Sequence, residues 1–237
     1  MKHSTQSMIG TFGFIAVCLI ATTIDRSQAW ADGGNQLMQN QTHWYEKAAT
    51  AAPVADFKAK GQSLILKDGS YLYLEGDSTL HKYQIHANAL QGSASVAAGD
   101  LVKVLKAGSV DAMTLVVPLK DFKSRESGLD DNANKALKSK DNPNITFTLK
   151  SEALKAGDKA DTYAMTAKGE LTIAGTTVPV TLKPDVTVKD GKVELKGVQK
   201  LKMSDYKVTP PSISLLVTAI TCTDDVDIHY DVIFGKP

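Results

Sequence analysis

Residues 224–234 read DDVDIHYDVIF, and the two parities of this stretch carry opposite chemistry. Asp225, Asp227, His229 and Asp231 fall on alternate positions, and Val226, Ile228, Tyr230, Val232 and Phe234 fill the positions between and beyond them. A period of two is the pattern of a strand with one face in water and the other against a core. The acidic parity also invites a metal-site reading, with three carboxylates and an imidazole as ligands. Same-face neighbours stand ~6.8 Å apart along one strand, too spread for a single ion unless a second strand completes the shell. The wet faces elsewhere in the chain are rich in lysine, which repels cations. The expectation is therefore no metal, with the informative half being the apolar one.

The same alternation runs outward from this stretch. Met113, Leu115, Val117 and Leu119 share a parity, as do Ile145, Phe147 and Leu149. So do Tyr163, Met165, Ala167, Leu171 and Ile173, and then Val178, Val180, Leu182, Val186 and Val188. In KVELKGVQKLKM, Val193, Leu195, Leu201 and Met203 oppose Lys192, Glu194, Lys196, Lys200 and Lys202. These are half-buried antiparallel strands. Asp68-Gly69, Ala156-Gly157-Asp158, Ala174-Gly175 and Asp190-Gly191 separate them with hairpin chemistry. SGLDDNANKALKSKDNP, residues 127–143, breaks the pattern with helix formers and stops at Asn142-Pro143. The fold class is all-β: about eight long antiparallel strands with one inserted helix. Closure into a barrel removes the exposed edges of so large a sheet; a two-sheet sandwich fits the pattern as the alternative.

The ends and totals bound the rest. Residues 1–31 combine a short basic start, the apolar run MIGTFGFIAVCLIATTI (residues 8–24) and a small-residue AWA, which is the plan of a secretory signal peptide with cleavage after Ala31. Residues 32–60 form a helical or flexible lead-in, and 61–237 the barrel domain. Cys18 leaves with the signal, so Cys222 stays without a disulfide partner. Of 27 basic and 26 acidic residues, loss of Lys2, Arg26 and Asp25 leaves 25 of each. Such balance gives no footprint for nucleic acid or anionic membrane, and no stable membrane insertion is expected after cleavage.

Enzyme chemistry has no foothold. Cys222 precedes Thr223, Asp224 and Asp225, which disfavour a thiolate. There is no G-x-S-x-G elbow, no phosphate loop and no H-E-x-x-H. His81 and His86, five apart in an extended segment, face opposite sides. No catalytic residue and no cofactor is assigned.

The interior parity supplies the candidate ligand-binding lining: Leu115, Val117, Phe147, Leu149, Met165, Leu171, Val180, Leu182, Leu195, Leu201, Ile228, Tyr230 and Phe234. An eight-stranded barrel is either filled by such side chains or holds one small ligand, and periodicity leaves both open. Ala87, Ala89, Ala167, Gly169 and Gly197 are assigned the inward parity, where small residues leave room along the axis. Arg125 and Lys207, with Ser124 and Lys123, are the candidates for a polar mouth.

Several segments, in order, resemble the YceI-like domain family. They are GDSTLHKY (76–83), with Tyr83 where the family carries tryptophan; the helix SGLDDNANKALK (127–138); PNITFTL (143–149); LTIAGTTVPVTL (171–182); and SDYKVTPP (204–211). The resemblance spans Gly61 to Gly235. Ala133 and Asn134 depart from the bulkier residues expected in the helix, which implies a looser cover if that helix closes the mouth. The resemblance implies an exported, lipocalin-like, eight-stranded barrel with an apolar pore, in which some members hold a polyisoprenoid chain such as an isoprenoid quinone or prenyl diphosphate. The expected function is a periplasmic or otherwise secreted protein that holds or carries an apolar small molecule or lipid. The alternative is a filled barrel serving as a non-enzymatic structural or protein-interaction module.

Overall fold

The computed structural model describes residues 49–50, 61–159, 161–214 and 219–237. The expected signal peptide lies outside these residues, as does the lead-in apart from Ala49 and Thr50. Those two form a short strand, β1 (Ala49–Thr50), parallel to residues 89–90, where the lead-in reading expected helix or flexible chain.

The remaining strands are β2 (Gln62–Leu66), β3 (Tyr71–Ser78), β4 (Tyr83–Ala87), β5 (Ala89–Val96), β6 (Val110–Pro118), β7 (Phe122–Lys123) and β8 (Asn144–Ala156). They continue with β9 (Thr162–Ile173), β10 (Thr176–Leu182), β11 (Asp185–Lys189), β12 (Lys192–Lys202), β13 (Ser212–Ser214) and β14 (Ala219–Gly235). Antiparallel pairing runs β5-β6-β8-β9-β11-β12-β14. β2 then closes the ring, because Phe234 of β14 opposes Leu66 while Gln62 opposes Val96 of β5. Among the described residues this is a closed eight-stranded antiparallel barrel with additional strands, and the sandwich alternative falls away. Closure leaves no long sheet edge in the ring open to another chain.

The hairpins turn where the sequence says. Ala174-Gly175 and Asp190-Gly191 each place both central residues at positive φ, the backbone of a type I′ turn whose twist matches the flanking strands. Glycine supplies that conformation without a Cβ clash.

Among the described residues two short α-helices, not one, interrupt the strands. The expected helix is α2 (Ser127–Ala136). The other, α1 (Leu101–Lys106), was not anticipated. Asp100 caps it by accepting from the Lys103 amide at 3.0 Å, and Leu101, Val104 and Leu105 bury one face. The signal was present: an Asp N-cap followed by apolar residues at i, i+3 and i+4. At six residues it is too short to register against the surrounding period-two pattern. None of the helices among the described residues is long and apolar enough to cross a membrane.

On the outer face, the acidic row of β14 meets a lysine row on β12. Lys196 reaches Asp231 at 3.0 Å, Lys200 reaches Asp227 at 2.9 Å and Lys202 reaches Asp225 at 2.8 Å. The register sets this up, since Lys196, Lys200 and Lys202 stand directly opposite those three carboxylates. His229 stacks on Tyr73 at 4.5 Å between ring centroids, and Tyr73 stacks on His86. These groups are thus engaged in wall contacts. Asp227→Asn is expected to leave the unfolding midpoint and any apolar-ligand uptake unchanged, since an exposed pair contributes little; denaturation and uptake assays on this variant check it.

Candidate functional site

The barrel encloses a cavity of about 220 Å³ whose exposed lining is almost wholly apolar. Leu115 and Val117 of β6, Phe147 and Leu149 of β8, and Met165 and Leu171 of β9 line it. So do Leu182 of β10, Leu195 and Leu201 of β12, and Ile228, Tyr230 and Phe234 of β14. Val180 does not, although it shares the parity of Leu182. Among the described residues β10 pairs with β9, where Val180 stands opposite Gly169 and Leu182 opposite Ala167.

The small residues create space differently from the expectation. A Cβ on Gly169 would fall 2.5 Å from the Phe147 ring, and one on Gly197 would fall 2.5 Å from the Tyr230 hydroxyl. Each glycine is therefore covered by an aromatic side chain that a Cβ would displace, instead of leaving a void of its own. Ala167 does line the cavity. Ala89 is corrected: the chain bends at Asn88, between β4 and β5, so inward residues on β5 are Gly92, Ala94 and Val96, of the opposite parity.

Two helices meet the cavity. Leu105 of α1 contributes at one end. At the other end, called the rim below, Leu129, Ala133 and Ala136 of α2 and Leu137, its C-cap, line the space, and no residue of α2 is fully buried. Ala133, one of the departures noted in the sequence, thus sits on the face turned to the cavity.

Arg125 and Lys207, the residues expected at a polar mouth, are exposed and are not among those lining the cavity. Lys207 has a left-handed backbone (φ 57°) at the end of a 3-10 turn, Met203–Tyr206. Ser124 and Lys123 serve the start of α2: the Ser124 amide donates to Asp130 at 2.6 Å and Lys123 lies 3.8 Å from the same carboxylate. Glu152, Gln199 and Lys202 are among the lining residues, although almost no polar surface faces the cavity. Glu152 accepts from the Val110 amide at 3.0 Å, and Lys202 is paired with Asp225.

Sequence reasoning missed Leu72 and Leu74 of β3 and Tyr83 and Ile85 of β4 as lining residues. In YLYL both parities are apolar or aromatic, so alternation alone does not name the inner face; Tyr71 and Tyr73 turn out to occupy the outer one. His81 makes a local contact in the β3–β4 loop. Its Nδ1 lies 2.8 Å from the Lys82 carbonyl, and Ser78 Oγ accepts from the Leu80 and His81 amides.

Burial in this apolar wall pushes the phenols of Tyr206 and Tyr230 up to about 12, each helped by a nearby aspartate. Tyr83 is raised as well, chiefly by burial and then by Cys222 and Asp77. Since the folded values lie above the ordinary 10.0, the contribution of these groups is complete below pH 10 and is lost as pH rises through the folded values. Stability is expected to fall between pH 10 and pH 12, with these tyrosines ionising last in an absorbance titration near 295 nm. The Tyr206 hydroxyl is also enclosed without a hydrogen-bond partner. Removing it in Tyr206→Phe is expected to raise stability by about 1 kcal/mol in urea denaturation.

The family model of the YceI-like domain matches residues 71–234. Among solved structures, the chain is similar to Burkholderia cenocepacia BcnA, with TM-score 0.54 and 17% identity over 69% of this chain and 95% of that one. It is similar to a Saccharophagus degradans domain described as polyisoprenoid binding and implicated in plant cell wall breakdown, with TM-score 0.54 and 11% identity over 73% of this chain and 98% of that one. It also matches the Campylobacter jejuni YceI protein, with TM-score 0.43 and 18% identity over 81% of this chain and 96% of that one. No curated protein matches. At these identities the first two speak for the fold alone.

Proposed function

Because this chain belongs to the YceI-like domain family, we propose that it is a non-enzymatic carrier that holds a long apolar molecule, an isoprenoid lipid, along its barrel axis. The observation that carries the reading is the cavity: about 220 Å³ lined by aliphatic and aromatic side chains in a barrel this small. The description of the Saccharophagus degradans domain as polyisoprenoid binding supports the choice of ligand class.

Size narrows it. A cavity of about 150 Å³ accommodates a benzene ring, so one of about 220 Å³ takes on the order of nine carbons, or about two isoprene units. A longer chain would leave its remainder at the rim. Affinity would come from apolar area at ~25 cal/mol per Å², so length matters up to the capacity of the cavity and stereochemistry matters little. Export through residues 1–31 is part of the proposal, and the mature chain would then begin at Asp32 and act in the periplasm or outside the cell.

The test is native mass spectrometry with lipid extraction of the exported protein, followed by uptake of a prenylated quinone by delipidated protein. A co-purifying isoprenoid and saturable one-to-one uptake are expected. Delipidated protein that takes up no prenyl lipid would sink the carrier reading and return the chain to the class of structural or interaction modules.

A further inference from the structure

Among the described residues, the large hydrophobic side chains left exposed are Leu80 at 60%, Val198 at 52% and Ile213 at 45%. Val198 lies on the barrel wall, whereas the other two share the rim. Leu80 sits in the loop between β3 and β4, and Ile213 in β13, which pairs with Ala219–Thr221 of β14. The two segments are tied together. The Thr79 amide donates to the Thr221 carbonyl at 3.0 Å, Thr79 Oγ1 donates to the Ala219 carbonyl at 3.3 Å, and the Thr221 amide donates to Thr79 Oγ1 at 3.1 Å.

This corner has the chemistry of a surface that can lose its water. The sequence carries no charged side chain between Lys207 and Asp224. The hydroxyls of Ser212 and Thr221 satisfy each other at 3.0 Å, so dehydrating them leaves no orphaned polar group. Two charged or titratable groups of the loop have partners, Lys82 with Glu75 at 3.3 Å and His81 near Glu126 at 3.8 Å. All three residues of β13 are exposed, so this strand stands clear of the wall instead of packing on it.

The corner is also continuous with the cavity. Cys222 follows the paired segment directly, and its amide donates to the Pro211 carbonyl at 3.0 Å; both residues line the cavity. A chain leaving the cavity along that wall would emerge beside Leu80 and Ile213.

We propose that the rim formed by the Thr79–Lys82 loop and the paired Ser212–Ser214 and Ala219–Thr221 segments docks reversibly on a lipid bilayer, inserting Leu80 and Ile213 among the acyl chains. The occupant is a bilayer because no charged side chain lies between Lys207 and Asp224, and the large apolar side chains exposed here, among the described residues, are Leu80 and Ile213. A protein partner asks for a broad, complementary area of ~800 Å² per side, and an anionic polymer asks for free positive charge. Attachment is apolar, so it needs no anionic lipid. The proposal extends the carrier reading, since a bilayer is where such a cargo would be exchanged, yet docking is measured without cargo.

The experiment is co-sedimentation of the protein, purified from the soluble fraction, with neutral phosphatidylcholine vesicles at low and high salt. Hydrogen exchange of the peptides covering residues 79–82 and 212–221 is followed with and without vesicles. Binding insensitive to salt is expected, with protection gained in those two peptides. Leu80→Asp and Ile213→Asp should each weaken binding on the order of tenfold. Val198→Asp should leave it unchanged. Failure to bind, unchanged binding by both rim variants, or binding without protection of these peptides would overturn the docking surface. Prenyl-quinone uptake from detergent by the same samples reads the cavity separately: uptake without vesicle binding rejects the rim alone, and vesicle binding without uptake rejects the carrier alone.

Discussion

Ile228→Asp is expected to abolish uptake of an apolar ligand and to destabilise the fold by about 3–5 kcal/mol, a large part of the ~5–15 kcal/mol that holds a typical domain together. Ile228 lines the cavity from the middle of β14, opposite Leu74 of β3 and Gln199 of β12. A carboxylate there faces an apolar wall with no cation provided for it. Desolvation would raise its folded pKa above the ordinary value, so the penalty has a pH signature. The unfolded chain releases this proton near pH 4 while the folded chain retains it to higher pH. The variant's deficit against the parent protein should therefore grow from pH 4 upward, level off above the folded pKa, and shrink again as pH is lowered. Ile228→Ala separates packing from charge: it widens the cavity, costs less, and should still take up ligand. Denaturation curves at pH 4 and pH 7 with a fluorescent prenyl probe decide the matter. Full uptake by a folded Ile228→Asp protein would remove the cavity from consideration as the binding site.

Gly169→Val is expected to be almost as damaging, at about 2–4 kcal/mol, for a steric reason. The added Cβ would fall 2.5 Å from two Phe147 ring atoms and 2.6 Å from the Thr148 carbonyl oxygen. The ring can swing into the cavity, where it would occupy ligand space. The carbonyl cannot move without disturbing the β8–β9 pairing, in which Leu149 stands opposite Gly169. Adding Phe147→Ala should consequently recover only part of the lost stability. Urea midpoints for the single and double variants measure both halves. An unchanged midpoint in Gly169→Val would mean that the ring does not rest on this glycine.

Much of this was legible in the chain because the physics of a strand is local. Alternation put Leu115, Phe147, Leu195 and Ile228 on inward faces, and the structure has them around one cavity. The hairpins at Ala174-Gly175 and Asp190-Gly191 needed only residues that tolerate positive φ, and the backbone adopts it there. The acidic row of β14 read as exterior because lysines occupied the wet parity of neighbouring strands, and the β12 register pairs them one to one. Other features had no local signal. A bend at Asn88 reverses the parity between β4 and β5, so Ala89 was assigned to the wrong face. The aromatic and apolar residues of YLYL gave two candidate inner faces. Val180 has the pattern of a lining residue, yet it is not among the residues around the cavity, whereas Leu182 of the same strand and parity is.

By itself the sequence determined the strands, the hairpin turns, the wet and dry faces, and the family. Each of these depends on neighbours within a few residues or on a short motif kept in order. Only the tertiary structure decided that β2 joins β14 to β5 and closes the ring, that aromatic side chains cover Gly169 and Gly197, and that space remains along the axis. Those outcomes depend on residues of different strands meeting at particular distances, in the β2–β14 pairing more than a hundred positions apart. An apolar face is the same pattern of letters whether it fills a core or lines a void; the difference lies in how far apart the facing walls stand.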